Sequence, residues 1–380
     1  MRHLAQLIVV LLALAGPQAA SAVVAPAVVP GWPVRTAQGS VHQGPHGGVV
    51  VISSDQSGET VRAFTGAGRR AWSTTRALGC GNCEASAKRV DLQADGTYGP
   101  LGASGNFWSI DQTGGVAPGC TGVVETDGTC FFAGSGPPVA PFQTPYFAAS
   151  RGGTILWSFV TTGFTWLSDF TGPPVVAQDR GGLLYAAFAG AVTPGGTSNR
   201  LLAVDPVSRS VLWSRTGPTS VLIALDSGVL VYENGGLTAV RADGTTAWTR
   251  PLPAGAYMTP SDVARDRARH RLYVGRRDKK PGVTALNANT GAQIWRTRPV
   301  DAARLVSLGE SGTVYLGIDT RGKTAARAVN PRGRLLWQHR MQRRIFGVTG
   351  VRELRSGLVA VSELGRSKRP TGLLTLLDPR

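Results

Sequence analysis

Beyond its first 22 residues the sequence has no long apolar run, which excludes a polytopic membrane protein. Histidine is scarce: only His42, His46, His270 and His339 follow the N-terminal stretch. Of these only His42 and His46 stand at a ligand-like spacing, and Gly44-Pro45 between them turns the segment into a loop, which speaks against a metal site. There is no Gly-x-Ser-x-Gly element, so that nucleophile-elbow route to hydrolysis is absent. No stretch interleaves basic with aromatic residues, as a single-strand nucleic-acid groove requires. Acidic residues number 23 against 40 basic ones, a formal net charge of +17. What the chain has in abundance is glycine, 50 of 380 residues, with 24 prolines. Those contents argue against a helical bundle or coiled coil and favour short strands joined by tight turns.

The N-terminus reads as an export signal. Arg2 and His3 precede the apolar run Leu7 to Ala15, Gly16-Pro17 follows, and Ala20-Ser21-Ala22 has the small-x-small form of a cleavage site. The run is too short to cross a hydrocarbon core of ~30 Å. No cysteine follows it to take a lipid anchor. Residues 1–22 are therefore expected to be removed, leaving 23–380 as one soluble domain outside the cytoplasm.

Four cysteines remain, Cys80, Cys83, Cys120 and Cys130. An even count in an exported chain suggests disulfides. Of the three connectivities, 80–83 with 120–130 is preferred, because Cys120 and Cys130 flank the turn Thr126-Asp127-Gly128-Thr129. A redox CxxC and a four-cysteine zinc site are the alternatives; nothing helical lies near the first, and the ten-residue spacing suits the second poorly.

A repeat runs through the rest. Its fullest copy is Ala285-Leu-Asn287-Ala-Asn-Thr290-Gly291-Ala-Gln-Ile-Trp295: strand, tight turn, strand. The same form ends on Trp213, and shorter ones end on Trp72, Trp157, Trp248 and Trp337; at a further turn Pro118 replaces tryptophan. Glycine supplies the positive φ of the turn, and tryptophan a large flat face for a neighbouring sheet. Asp205, Asn287, Asn330 and Asp378 share one repeat position, where such side chains bond the backbone of the following turn. A second motif alternates with the first: a turn and then a β-rich run, as in Gly181-Gly182-Leu-Leu-Tyr and Ser311-Gly312-Thr-Val-Tyr-Leu, eight times in all. Two hairpins per repeat of ~40–50 residues make a four-stranded propeller blade. The chain stops at Leu376-Leu-Asp378-Pro-Arg380, half a hairpin, while Gly31-Trp32-Pro-Val near the start supplies a tryptophan segment with no hairpin before it. The expectation is an all-β, eight-bladed propeller of four-stranded antiparallel blades, its ring closed by the N-terminal segment around Trp32.

The Ala-x-Asp/Asn-x-x-Thr-Gly-x-x-x-Trp pattern, full at 285–295 and nearly so at 203–213, resembles the repeat of the quinoprotein-type (PQQ-like) eight-bladed propellers over essentially residues 30–380. That family includes PQQ-dependent dehydrogenases, which hold the quinone in a central funnel with calcium, carboxylate ligands, a catalytic Asp and often a disulfide between adjacent cysteines. It also includes non-catalytic BamB-like scaffolds. This chain has no adjacent cysteine pair, no acidic cluster that matches the metal site and no CxxCH, since Glu84 follows Cys83. The resemblance therefore implies a scaffold with no cofactor and no catalytic or metal residues. The alternative is a small quinoprotein-type dehydrogenase, or another enzyme using the funnel.

Two surfaces stand out as binding candidates. Up to Gly190 there are 10 basic and 10 acidic residues; from Ala191 on there are 30 and 13. Arg276-Arg277-Asp-Lys279-Lys280, Arg321-Gly-Lys323 and Arg366-Ser-Lys368-Arg369 each fall in the loop after a blade's second strand. Those loops project from the face opposite the Thr-Gly hairpins and form a positive arc suited to an acidic protein, an anionic wall polymer or lipid headgroups. Base-composition bias toward arginine is the competing explanation of the charge, with 35 Arg to 5 Lys. The second surface is aromatic. The insert 161–171 exceeds what a strand connection needs, and Phe164, Trp166 and Phe170 could form an exposed binding lip within a segment otherwise spent on core. The sequence thus reads as an exported monomer at the cell envelope that binds a protein or anionic partner, not nucleic acid.

Overall fold

The computed structural model describes residues 25–379 except 38–39, 56–57, 77–90, 93–97, 104–105, 111, 114–115, 119, 121–122, 136–144, 162–163, 167–175, 194–195, 219, 253–257, 259–261, 277–281, 298–301, 321–322, 341–344 and 366–370. Apart from one short 3₁₀ turn at Pro45–Gly47, the regular structure described is all β. No helix among the described residues is long and apolar enough to cross a membrane.

The described strands fall into eight antiparallel sheets; seven follow chain order, and the eighth takes three strands from the C-terminal end and is completed by the two N-terminal strands. We number them along the chain: sheet 1 spans 40–76, sheet 2 91–118, sheet 3 123–160, sheet 4 165–216, sheet 5 220–251, sheet 6 263–296, sheet 7 302–340 and sheet 8 345–378. The second motif of the sequence stands before the second strand of each sheet: Val229–Glu233 follows Ser227-Gly228, and Val314–Thr320 follows Ser311-Gly312. Inner strands such as Gly236–Val240 are buried at every position, because both faces of the sheet are covered by neighbours. Fourth strands alternate instead, as in Ser210–Thr216, because one face meets water.

Burial is shared between consecutive sheets. Apolar clusters join sheets 3 and 4, 4 and 5, 5 and 6, 6 and 7, and 7 and 8. Another packs Ile110 of sheet 2 on Val50, Ile52 and Val61 of sheet 1. A further cluster joins sheet 8 to sheet 1 through Trp32, Val49, Phe64, Leu374 and Leu376. The N-terminal strands Ala27–Val28 and Val34–Ala37 both pair with the last strand, Thr371–Asp378. Trp32 itself lies in the break between these two strands rather than within one, and its Nε1 donates to Gly66 O of sheet 1 at 3.0 Å.

The repeat now has a physical account. In sheets 4, 6 and 7 a tyrosine on the second strand, an alanine on the third and the tryptophan on the fourth stand opposite one another: Tyr185, Ala203, Trp213; Tyr273, Ala285, Trp295; Tyr315, Ala328, Trp337. The small alanine lets the two rings approach to 6.0, 5.7 and 6.0 Å. A β-bulge directly after each alanine turns the tryptophan strand. Each indole then reaches the next sheet. Trp213, Trp248 and Trp295 donate Nε1–H to the carbonyls of Ala242, Ala288 and Pro331 in the following sheet's turn. The turn glycine lies under the ring: a Cβ at Gly291, whose φ is +68°, would stand 2.6 Å from the Trp248 ring. Thr-Gly and Trp are therefore partners between neighbouring repeats rather than within one.

Candidate functional site

The hairpin turns are tied by their own side chains. Asn287 Oδ1 accepts from the Asn289 and Thr290 N–H groups at 2.9 and 3.1 Å, Asn330 Oδ1 accepts from Arg332 and Arg334 at 3.0 Å each, and Asp205 Oδ1 accepts from Val207 at 2.9 Å. These repeat-position side chains brace the backbone of their own turns.

The buried polar groups likewise join sheets. Asp179 accepts from Tyr185 Oη at 2.8 Å and from the Gly228 N–H of sheet 5 at 2.9 Å. Tyr315 Oη donates to Glu353 of sheet 8 at 2.9 Å. Burial first, and the carboxylate partner second, push both phenols far above their usual range. Arg215 of sheet 4 donates from Nη2 to both carboxylate oxygens of Glu233 in sheet 5, at 3.1 and 2.9 Å.

Glu363 differs from these carboxylates. It is 3% exposed, and burial pushes it up to about 7 from the usual 4.5, against the opposing hydrogen bond from Thr375 Oγ1 at 3.0 Å. Because the folded value lies above the unfolded one, the folded chain holds the extra proton. Glu363 therefore lowers stability progressively as pH rises from 4.5 through 7, by on the order of 3 kcal/mol in total. Denaturation of Glu363→Gln and the parent across that range should give curves that converge at low pH, with the variant more stable at pH 8. Parallel curves would contradict the assignment.

The residues picked out in the sequence are placed as follows. Cys120 and Cys130 form a disulfide, with Cα atoms 5.7 Å apart; Cys80 and Cys83 lie outside the described residues. Trp72, Trp157, Trp213, Trp295 and Trp337 pack in or against inter-sheet clusters, as do Trp32 and Trp248. The basic loops lie outside the described residues, save the backbone of Arg276 and Lys323 at the ends of their strands. The flanking strand ends sit at one end of the consecutive sheets 6, 7 and 8, opposite the turns.

Of the aromatic insert, Phe164 packs on the core. Its ring is half-buried against Phe188, 5.6 Å between centroids, within the core between sheets 3 and 4. Thr165–Trp166 forms a short extra strand on Leu184–Thr193, because the second and third strands of sheet 4 run to ten residues and offer a free edge. Phe170 lies outside the described residues. His42 sits 3.4 Å from Arg352 Nη1, while His46 occupies the separate 3₁₀ turn.

The family's quinone chemistry needs carboxylates around calcium. Among the described residues no three His, Cys, Asp or Glu side chains lie close enough to hold a metal ion. A crevice of about 260 Å³ between sheets 5 and 6 is lined by Leu237, Arg250, Leu252, Val274, Thr284 and Leu286, which bring one guanidinium and no carboxylate. What the sequence reading passed over is a run of arginines in the turns of sheets 6 and 7, signalled by Arg265-Asp-Arg267-Ala-Arg269-His270-Arg271 and Pro331-Arg332-Gly-Arg334.

Successive four-stranded sheets interlocked by tryptophan are the architecture of β-propellers. The chain belongs to the PQQ-like propeller family described as outer membrane protein assembly factor BamB, whose sequence model matches residues 146–305 and 233–367, together more than half of the chain. No curated protein matches it. Among solved structures it is similar to BamB from Moraxella catarrhalis, at 14% identity and TM-score 0.52, over 92% of this chain and 99% of that one. It is also similar to a europium-containing methanol dehydrogenase (12%, TM-score 0.59, 92% and 93%). A third likeness is to quinohemoprotein alcohol dehydrogenase from Comamonas testosteroni (13%, TM-score 0.59, 92% and 76%). At these identities the structural likeness concerns the fold alone.

Proposed function

We propose that the protein is an exported, monomeric, non-catalytic scaffold of the cell envelope, built as a closed eight-bladed ring from residues 23–380 after removal of 1–22. The family match over 146–367 carries the scaffold reading, and the engagement of the described carboxylates in turns and inter-sheet bonds supports it. Eight sheets, apolar clusters at consecutive junctions and the pairing of both chain ends in sheet 8 support closure. The contact site for an acidic protein or envelope polymer is the arc of Arg276, Arg277, Lys279, Lys280, Arg321, Lys323, Arg366, Lys368 and Arg369.

A second reading, a quinoprotein dehydrogenase, is favoured by the likeness to methanol dehydrogenase. Adding pyrroloquinoline quinone and calcium to the purified protein separates the two. The scaffold reading expects no bound-quinone absorbance and no dye reduction with alcohols or aldoses. A stoichiometric quinone spectrum with turnover would replace it by the enzyme.

A further inference from the structure

The densest charge among the described side chains lies on the hairpin end of sheets 6 and 7, the end opposite the basic loops. First-to-second and third-to-fourth hairpins reverse at the same end of a four-stranded antiparallel sheet, so the 265–271 and 331–334 segments share one face. They touch: Arg271 Nη1 donates to Pro331 O at 2.6 Å, and Trp295 Nε1 donates to the same oxygen at 2.7 Å.

The carboxylates nearby are few and mostly engaged. Asp266 holds Arg269 at 2.9 Å; Asp226 pairs with Arg265 and lies 3.6 Å from His270; Glu310 is exposed on the adjoining turn. Among the described residues Arg332 and Arg334 form no ion pair, Arg267 has only the longer-range attraction of Asp226, and all three are exposed. The face continues across the sheet 5 turn, with exposed Arg241 and Asp243, to exposed Arg209 and Arg180 of sheet 4, and on the other side to Arg355 of sheet 8. Beside Arg209, at the tip of the same turn, Val207 is 88% exposed, more than any other large apolar side chain described.

We propose that this hairpin face docks on an anionic phospholipid surface, with the guanidiniums on headgroup phosphates and Val207 entering the interface. The guanidinium fork matches phosphate oxygens and is weakly hydrated, so it gives up water readily at such a surface. The charges stand on turn tips braced by their own side chains and by neighbouring sheets. They meet a broad plane of phosphates more readily than a single peptide, which would need a groove. The proposal rests on the hairpin geometry and not on the absence of catalysis.

Sedimentation of the full chain with phosphatidylcholine vesicles containing phosphatidylglycerol tests it, beside pure phosphatidylcholine vesicles and immobilised polyglutamate. Binding should require phosphatidylglycerol and weaken with salt. The triple variant R267E/R332E/R334E should lower vesicle partitioning by at least about two orders of magnitude, about fivefold for each guanidinium lost with the added carboxylates lowering it further, and with the thermal transition kept. Val207→Asp should weaken binding while leaving its salt dependence unchanged. K279E/K280E/K368E, the same charge change at the opposite end, should keep vesicle binding. Equal losses in both triple variants, or binding to phosphatidylcholine alone, would overturn the proposal. So would a hairpin variant that binds vesicles normally but loses polyglutamate, which would assign the face to an acidic protein. None of these readouts depends on the quinone test, so either reading can fail alone.

Discussion

Replacing Trp32 by alanine should cost about 4 kcal/mol of folding stability, the loss usual for a core tryptophan, although the residue lies near the start of the chain. Ends of chains normally fray and tolerate change. Trp32 is instead 7% exposed, with its ring 6.2 Å from Phe64 and its N–H on Gly66 O. It packs among Val49, Leu354, Leu374 and Leu376, residues from both ends of the sequence. Loss of the ring would loosen Ala27–Val28 and Val34–Ala37 from the last strand, leaving Thr371–Asp378 as a bare edge open to other chains. Trp32→Phe keeps the apolar contact and removes only the hydrogen bond, for about 1 kcal/mol. Urea unfolding of the three proteins should rank them in that order, with aggregation in the alanine variant. If all three unfold together, the N-terminal segment is a loose extension and the ring is not sealed by it.

Gly291→Ala should be nearly as damaging, at about 4 kcal/mol, and Gly128→Ala should not. Both glycines have positive φ, +68° and +78°, so any side chain at either costs about 1 kcal/mol of backbone strain. Only at Gly291 does the new Cβ collide, 2.6 Å from two atoms of the Trp248 ring. That ring is 8% exposed and hydrogen-bonded to Ala288 O, so it has nowhere to go, and overpacking adds about 3 kcal/mol. Gly128 has nothing within 4 Å of a built Cβ, leaving only the backbone cost. Thermal unfolding of the two variants measures the difference directly. Equal destabilisation would mean that the ring shifts freely and the interlock is weak.

Much of the architecture was legible before any coordinates, because its signals are local. A hairpin declares itself within about ten residues, through a turn glycine and the Asn or Asp that braces it. The disulfide Cys120–Cys130 was readable for the same reason, since the turn between its cysteines is short. The surroundings of the aromatic insert were not legible, because composition does not say which rings have a partner. Phe164 found one in Phe188, on strands whose unusual length no turn signal announces. The arginines of sheets 6 and 7 were overlooked for a related reason: they belong to different hairpins, and only packing sets Arg271 against Pro331, sixty residues away.

Residue order alone decided where the chain turns, that it forms strands in fours, and that all but one of the repeat units carry the tryptophan, since those preferences act between near neighbours. Assembly in three dimensions decided that Trp248 rests on Gly291 of the next unit, that Trp32 joins the two chain ends, and which charges share a surface. Such contacts join residues 34 or more positions apart, and their energy comes from burying one sheet against another, a quantity that exists only once the sheets have met.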